Sequence, residues 1–277
     1  MRSLGRKAVA IGVVVSLIVL ILCSCGEQKE NEEALEEIHD IPIVDMTEFE
    51  WNDLVISAKQ VKRTVSKGME IELLLENPTE SRYAISTAAV ILNNGMTDVS
   101  FECEIEANTT KSTSISVPFE ILESEGIVSV GRIELFFDLH NITSAEAISK
   151  AGSLRVKLSD SSQPMVSGHI LYDRYGVKIY GRYVDETTVW GSSVLLYVQN
   201  TSERNIRVLR ETLTVNDEEE QGEYDEVIYA KRHSVDPISL SVNEITASDQ
   251  ITLQLKIVDA DTMEEIATTN PIAFDAN

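Results

Sequence analysis

Cysteine, histidine and positive charge are all scarce in this 277-residue chain, and each shortage removes a class of function. Of the three cysteines, Cys23 and Cys25 fall in an N-terminal segment with its own role, which leaves Cys103 alone and excludes an internal disulfide framework. Cys103 alternates with Phe101 and Ile105, a pattern that reads as an inert thiol on an apolar strand face. The four histidines, His39, His140, His169 and His233, occur one at a time, without metal-ligand spacing. The chain has no H-E-x-x-H, no G-x-S-x-G and no phosphate-binding glycine loop, so the expectation is a non-enzyme with no catalytic, metal or cofactor-binding residue. Lys and Arg number 23 against 46 Asp and Glu, a net charge of −23, which makes nucleic acid and anionic membrane surfaces poor partners.

Long apolar runs are scarce too, with one exception at the start. Arg2, Arg6 and Lys7 precede an apolar run from Ala8 to Leu22, followed by Leu22-Cys23-Ser24-Cys25-Gly26. A basic n-region and a short apolar h-region ending at small residues is the pattern of a secretion signal, and the run is shorter than the ~20 residues of a spanning helix. The end of the run resembles the lipobox of bacterial lipoproteins, with Leu22 at −3, Ser24 at −1 and Cys25 as the lipidated residue. The resemblance implies cleavage after residue 24, a diacylglyceryl group on Cys25, fatty acylation of the new N-terminus, and a membrane partner reached through that anchor on the extracytoplasmic face. Two acyl chains anchor stably, each buried methylene contributing roughly 0.8 kcal/mol. Loss of Arg2, Arg6 and Lys7 with the signal deepens the net charge to −26.

Residues 25–49 read as an acidic flexible linker. Gly26 through Glu50 holds ten acidic residues and one base, Lys29, with too little apolar surface to offset ordering. From Leu54 onward the apolar residues recur with period two, the signature of half-buried strands. Examples are Ile71, Leu73 and Leu75, then Ile133, Leu135, Phe137 and Leu139, and later Ile251, Leu253, Leu255 and Ile257. Turn signals such as Asn77-Pro78, Asn94-Gly95 and Asn200-Thr201 separate them. The expected fold class is all-β: two tandem Ig-like antiparallel sandwiches, residues 50–160 and 165–277, after the signal helix and linker.

The two halves repeat one another. A shift of 123 residues lays Leu54–Asn93 over Val177–Asn216 without a gap, and a shift of 118 lays Ile133–Val156 over Ile251–Phe274. Matched positions include Gly68 with Gly191, Asn77 with Asn200 and Asn93 with Asn216, residues suited to tight turns and left-handed backbone. A short helix is expected late in each half, capped by Thr143 or Ser144 in the first and by Asp261 or Thr262 in the second. Two acidic groups, residues 217–226 and 259–265, hold hard oxygen ligands of the kind calcium prefers, but Ile228 stands where an EF-hand loop starting at Asp217 needs its last glutamate. Both groups therefore read as solvated turns.

The segments LLLENPTESRYAISTAAVILNNG, LLYVQNTSERNIRVLRETLTVND and LKIVDADTMEEIATTNPIAF resemble the tandem Ig-like modules of unknown function found in lipoproteins of Gram-positive, especially clostridial, bacteria. The resemblance implies an extracytoplasmic sandwich with no known catalytic residue. The first copy departs at DLHNITSAEAI, where the acidic turn is missing. The expected role is a non-catalytic binding or scaffolding module at the cell envelope, with an envelope protein or glycan as the partner class. The alternatives are the solute-binding component of a transporter, which the missing βαβ pattern disfavours, and an envelope hydrolase.

Overall fold

The computed structural model describes residues 38–64, 67–160, 168–185, 187–188, 190–241, 245–246 and 248–275. The signal, Cys25 and the spacer as far as residue 37 lie outside the described residues.

The period-two segments form strands, as their pattern requires. In the first half these are β1 (Ile38–Ile41), β2 (Ile43–Thr47), β3 (Phe49–Trp51), β4 (Leu54–Thr64), β5 (Gly68–Asn77), β6 (Tyr83–Leu92), β7 (Gly95–Thr97), β8 (Glu102–Ile105) and β9 (Thr109–Val117). A six-residue helix α1 (Phe119–Ser124) and strands β10 (Arg132–Asn141) and β11 (Glu146–Leu158) follow. One sheet runs β1-β4-β5-β9 with β3 also on β4, and the other runs β7-β6-β10-β11-β2 with β8 also on β6. Ile56, Ile71, Leu73 and Ile115 of the first meet Ile85, Leu92, Leu135 and Phe137 of the second in one core. Each such fully buried side chain contributes roughly 1.5–3 kcal/mol. Register shifts at Ala58/Gln60 and Phe136/Phe137 are the bulges that restore inward facing where strict alternation would fail. Gly68, at φ 96°, opens β5 where a Cβ would come within 2.1 Å of the Val117 carbonyl oxygen.

The second half comprises β12 (His169–Arg174), β13 (Val177–Val184), β14 (Ser193–Asn200), β15 (Ile206–Val215), β16 (Glu218–Glu219), β17 (Asp225–Ile228), β18 (His233–Ser239), β19 (Gln250–Asp259), β20 (Glu265–Thr268) and β21 (Ile272–Asp275). Its sheets run β12-β13-β14-β18 and β16-β15-β19-β20, with β17 on β15 and β21 on β19. From β3 onward the strands correspond, with β11 of the first half matched by β20 and β21 together. Phe49 pairs with Ile56 as Tyr172 pairs with Ile179, and β7 and β8 flank β6 as β16 and β17 flank β15.

Three expectations are corrected. Residues 38–49, read as the end of the flexible spacer, are β1, β2 and the start of β3. Phe49 is buried against Phe137, ring centroids 5.2 Å apart, so the core recruits an acidic segment through a few apolar anchors. The two late helices are hairpin turns instead. Asn141 Oδ1 accepts from the Thr143 and Ser144 amides, and Asp259 Oδ1 from those of Asp261 and Thr262. Ala145 (φ 59°) and Met263 (φ 61°) then turn left-handed, which stops a helix before it starts. The sheets are also not wholly antiparallel. β18 pairs with β7 in parallel, His233 opposite Gly95 and Ser234 opposite Met96, so one ten-stranded sheet crosses both halves.

The matched asparagines carry matched hydrogen bonds. Asn77 Nδ2 donates to the Ser81 and Glu106 carbonyls, while its Oδ1 accepts from the Thr79 amide and hydroxyl. Asn200 Nδ2 donates to the Arg204, Ile228 and Tyr229 carbonyls, and its Oδ1 accepts from the Ser202 amide and hydroxyl. Asn93 and Asn216, both at φ 51°, open the next hairpins and tie them to Arg132 and Gln250. Asn77→Ala and Asn200→Ala each strand several buried carbonyl and amide groups, and each is expected to lower unfolding free energy by roughly 2–4 kcal/mol in urea titration. A loss below about 0.5 kcal/mol in both would contradict this account of the turns.

Candidate functional site

The joint between the halves is built where the sheet edge of β18 meets β7. The His233 amide donates to the Asn94 carbonyl at 3.1 Å. Its imidazole stacks on Tyr197, centroids 5.1 Å apart, and its Nε2 approaches Gly95 so closely that a Cβ there would lie 2.8 Å away. Burial, with Arg232 adjacent, pushes the His233 pKa down to about 4, so the ring is neutral at physiological pH. Phe136 and Tyr229 meet edge to face at 5.4 Å, and Met96 of the first half packs against the second core.

One carboxylate ties this joint together. Glu134, on the outer face of β10, is 2% exposed. Its Oε1 accepts from Arg155 Nε of neighbouring β11 at 2.7 Å, and its Oε2 accepts from the Arg232 guanidinium of the second half. Arg232 is largely buried with it, and removing one partner of such a buried pair typically costs about 3–5 kcal/mol, whereas the exposed Arg155 guanidinium is screened by solvent.

Beside Glu134 lies a cavity of about 380 Å³ lined by Asp45, Met46, Thr47, Arg132, Glu134, Arg155, Val156, Lys157 and Arg232. Strand register explains the convergence. Arg132 sits opposite Lys157, which sits opposite Asp45, and Glu134 sits opposite Arg155, which sits opposite Thr47. Alternation puts these rows on the outer face, because Ile133, Leu135 and Val156 point into the core. The cavity thus gathers four cations and two carboxylates.

A second charged group crosses the same joint with the opposite sign. Asp98 follows β7, Glu125 ends α1, Glu226 lies on β17 and Asp236 on β18. Burial, with Asp236 and Asp98 nearby, raises the Glu125 pKa to about 9. Burial and the same two neighbours together with Asp225 bring Glu226 to about 7, and burial brings Asp236 to about 6. The Tyr224 hydroxyl and the Asp236 carboxylate are buried beside them, with the Ser234 side chain next to both. A cavity of about 450 Å³ at the far end of β10 is lined by Ser86, Cys103 and His140 among others. Burial raises the pKa of the half-buried Cys103 thiol.

The residues singled out from the sequence are otherwise dispersed. Lipidated Cys25 lies outside the described residues. In the 217–226 group, Glu220 is buried and accepts from the Ser241 amide, while Asp225 pairs with Arg207 through two 2.5 Å contacts. In the 259–265 group, Asp259 shapes its turn and Glu265 faces Lys256. Among the described residues, no three His, Cys, Asp or Glu side chains are placed to hold a metal ion. Glu134, Arg155 and Arg232 went unnoticed in the sequence. Their signal was the unbroken Ala89-Val90-Ile91-Leu92 run and outward Phe136, which mark a strand pair covered on both faces.

No protein-family model matches the chain, and no curated protein matches it. Solved structures it is similar to include red sea bream transglutaminase, at 12% identity over 82% of this chain and 31% of that one, TM-score 0.25. A β-D-mannosidase from Dictyoglomus thermophilum shares 10% identity over 87% and 35%, TM-score 0.25. Ruminococcus gnavus β-glucuronidase shares 10% over 87% and 43%, TM-score 0.23. The chain spans less than half the length of each, and likeness this distant says nothing of activity or ligand.

The raised carboxyl pKa values set a pH dependence. A carboxyl that binds its proton more tightly folded than unfolded contributes stability below its unfolded pKa and loses it as pH rises through the folded value. Unfolding temperature should therefore fall between about pH 5 and about pH 9. Glu125→Gln should flatten that slope and raise the midpoint at pH 8 by several degrees, at about 2–4 °C per kcal/mol. Scanning calorimetry across this range would contradict the assignment if the two proteins kept the same slope.

Proposed function

We propose that this chain is a lipid-anchored, non-catalytic binding module of the cell envelope, in which two Ig-like sandwiches are held as one body above the membrane. The observation that carries the reading is the joint. A sheet continuous across both halves, closed by the Glu134 to Arg232 pair, supports a rigid body that presents a fixed surface. The Leu22-Cys23-Ser24-Cys25 segment supports the anchor, and the repeated Asn-centred turns support kinship with tandem Ig-like lipoproteins. The cationic cavity beside the joint supports binding through the outer face of that sheet. Solute capture between two lobes fits less well, because this cavity lies on a sheet face instead of in a cleft between α/β lobes.

Two measurements on intact cells test the reading. The wild-type chain should incorporate labelled fatty acid and Cys25→Ser should not, and crosslinking should recover a discrete envelope partner. Unchanged labelling of Cys25→Ser would overturn the anchor, and recovery of monomer alone would count against a binding role.

A further inference from the structure

We propose that the cavity beside the joint is a site for a small anionic ligand, which it holds by phosphate or carboxylate groups through Arg132 and Lys157, with Arg155 and Arg232 completing the positive wall. This inference deepens the binding-module reading and rests on it.

Charge is the first ground. A chain with twice as many acidic as basic residues places four of its 23 cations around one concavity. The Glu134 carboxylate is spoken for, with one oxygen on Arg155 and the other on Arg232. Asp45 Oδ1 accepts from the neighbouring Met46 amide. Four cations against two carboxylates leave the cavity positive, and a cleft with low-dielectric walls focuses such a field.

Register is the second ground. Arg132 and Lys157 stand directly opposite one another on adjacent strands, and like charges so placed are destabilising. Among the described residues, neither side chain is ion-paired to a carboxylate; Asp45, opposite Lys157 on β2, accepts from the Met46 amide instead. An incoming anion would relieve that repulsion.

The third ground is the repeat itself. The 118-residue shift places Gln250, Thr252, Ala273 and Asp275 where the first half has Arg132, Glu134, Arg155 and Lys157. The 123-residue shift that matches β9 to β18 places Thr109 opposite Arg232. The same strands therefore fold without these charges, so the fold does not require them. They are an addition specific to one outer face of one copy. The volume, about 380 Å³, suits a small ligand, and guanidinium groups match the planar geometry of carboxylate and phosphate oxygens.

Equilibrium dialysis of the purified full-length protein with radiolabelled pyrophosphate and, separately, citrate tests the site. Wild type should bind at least one probe saturably, with affinity that falls as salt is added. Binding of pyrophosphate alone would assign a phosphate ligand, and of citrate alone a carboxylate ligand. R132Q/K157Q should bind at least about tenfold more weakly, with an unchanged or higher unfolding temperature. Arg182→Gln, an exposed cation on β13, should bind as wild type does. Absence of saturable binding of both probes to wild type, or equal binding by R132Q/K157Q, would overturn the proposal. Should the double variant not fold, Arg132→Gln alone is read by the same criterion. Because dialysis is independent of Cys25, failed fatty-acid labelling with intact anion binding would retire the anchor and leave this site standing.

Discussion

A β-sheet edge carries a row of unpaired amide and carbonyl groups that must be paired, covered or charged, and in this chain one such edge decides how the two halves meet. β18 is the edge of a second-half sheet, and β7 of the first half lies along it in parallel. The two-residue pairing is short, and everything around it reinforces it. Gly95 gives His233 room, His233 stays neutral and stacks on Tyr197, and Met96 reaches into the second core. The counterpart strand in the first half, β9, has Thr110 where β18 has His233, and the turn before it has Glu106 where the second half has Tyr229. The joint is therefore chemistry added to a repeated fold.

Opposite charges flank this joint. On the outer sheet face, cations gather around a buried carboxylate that bridges the halves. Around α1, β17 and β18, carboxyl groups are buried together and hold their protons to unusually high pH. Both groups draw residues from both halves, so each responds to how the halves are seated. Buried ionic groups are expensive to maintain, and concentrating them at one seam ties the local electrostatics to the joint's geometry.

Much of the strand framework was legible from the sequence, because period two survives wherever one face is dry. The paired asparagines were legible for a related reason: a turn closed by its own side chain needs only local residues. Elements that depend on distant partners were not. Phe49 folds the tail of an acidic segment only because Phe137 and Gly152 leave it a place in the core. Thr143 and Asp261 resemble helix caps in composition, yet Asn141 and Asp259, two residues earlier, take the turn amides first. The cavity's cations lie up to 100 residues apart in sequence, from Arg132 to Arg232, and only strand register and the joint bring them together.

The central claim is that the joint is part of the folded core and does not open as a loose contact. Hydrogen–deuterium exchange of the His233 amide reads it directly, since that amide donates across the seam to Asn94. If the account holds, this amide exchanges as slowly as the core amides of β6 and β14, through global unfolding. Exchange as fast as that of exposed turn amides would contradict it.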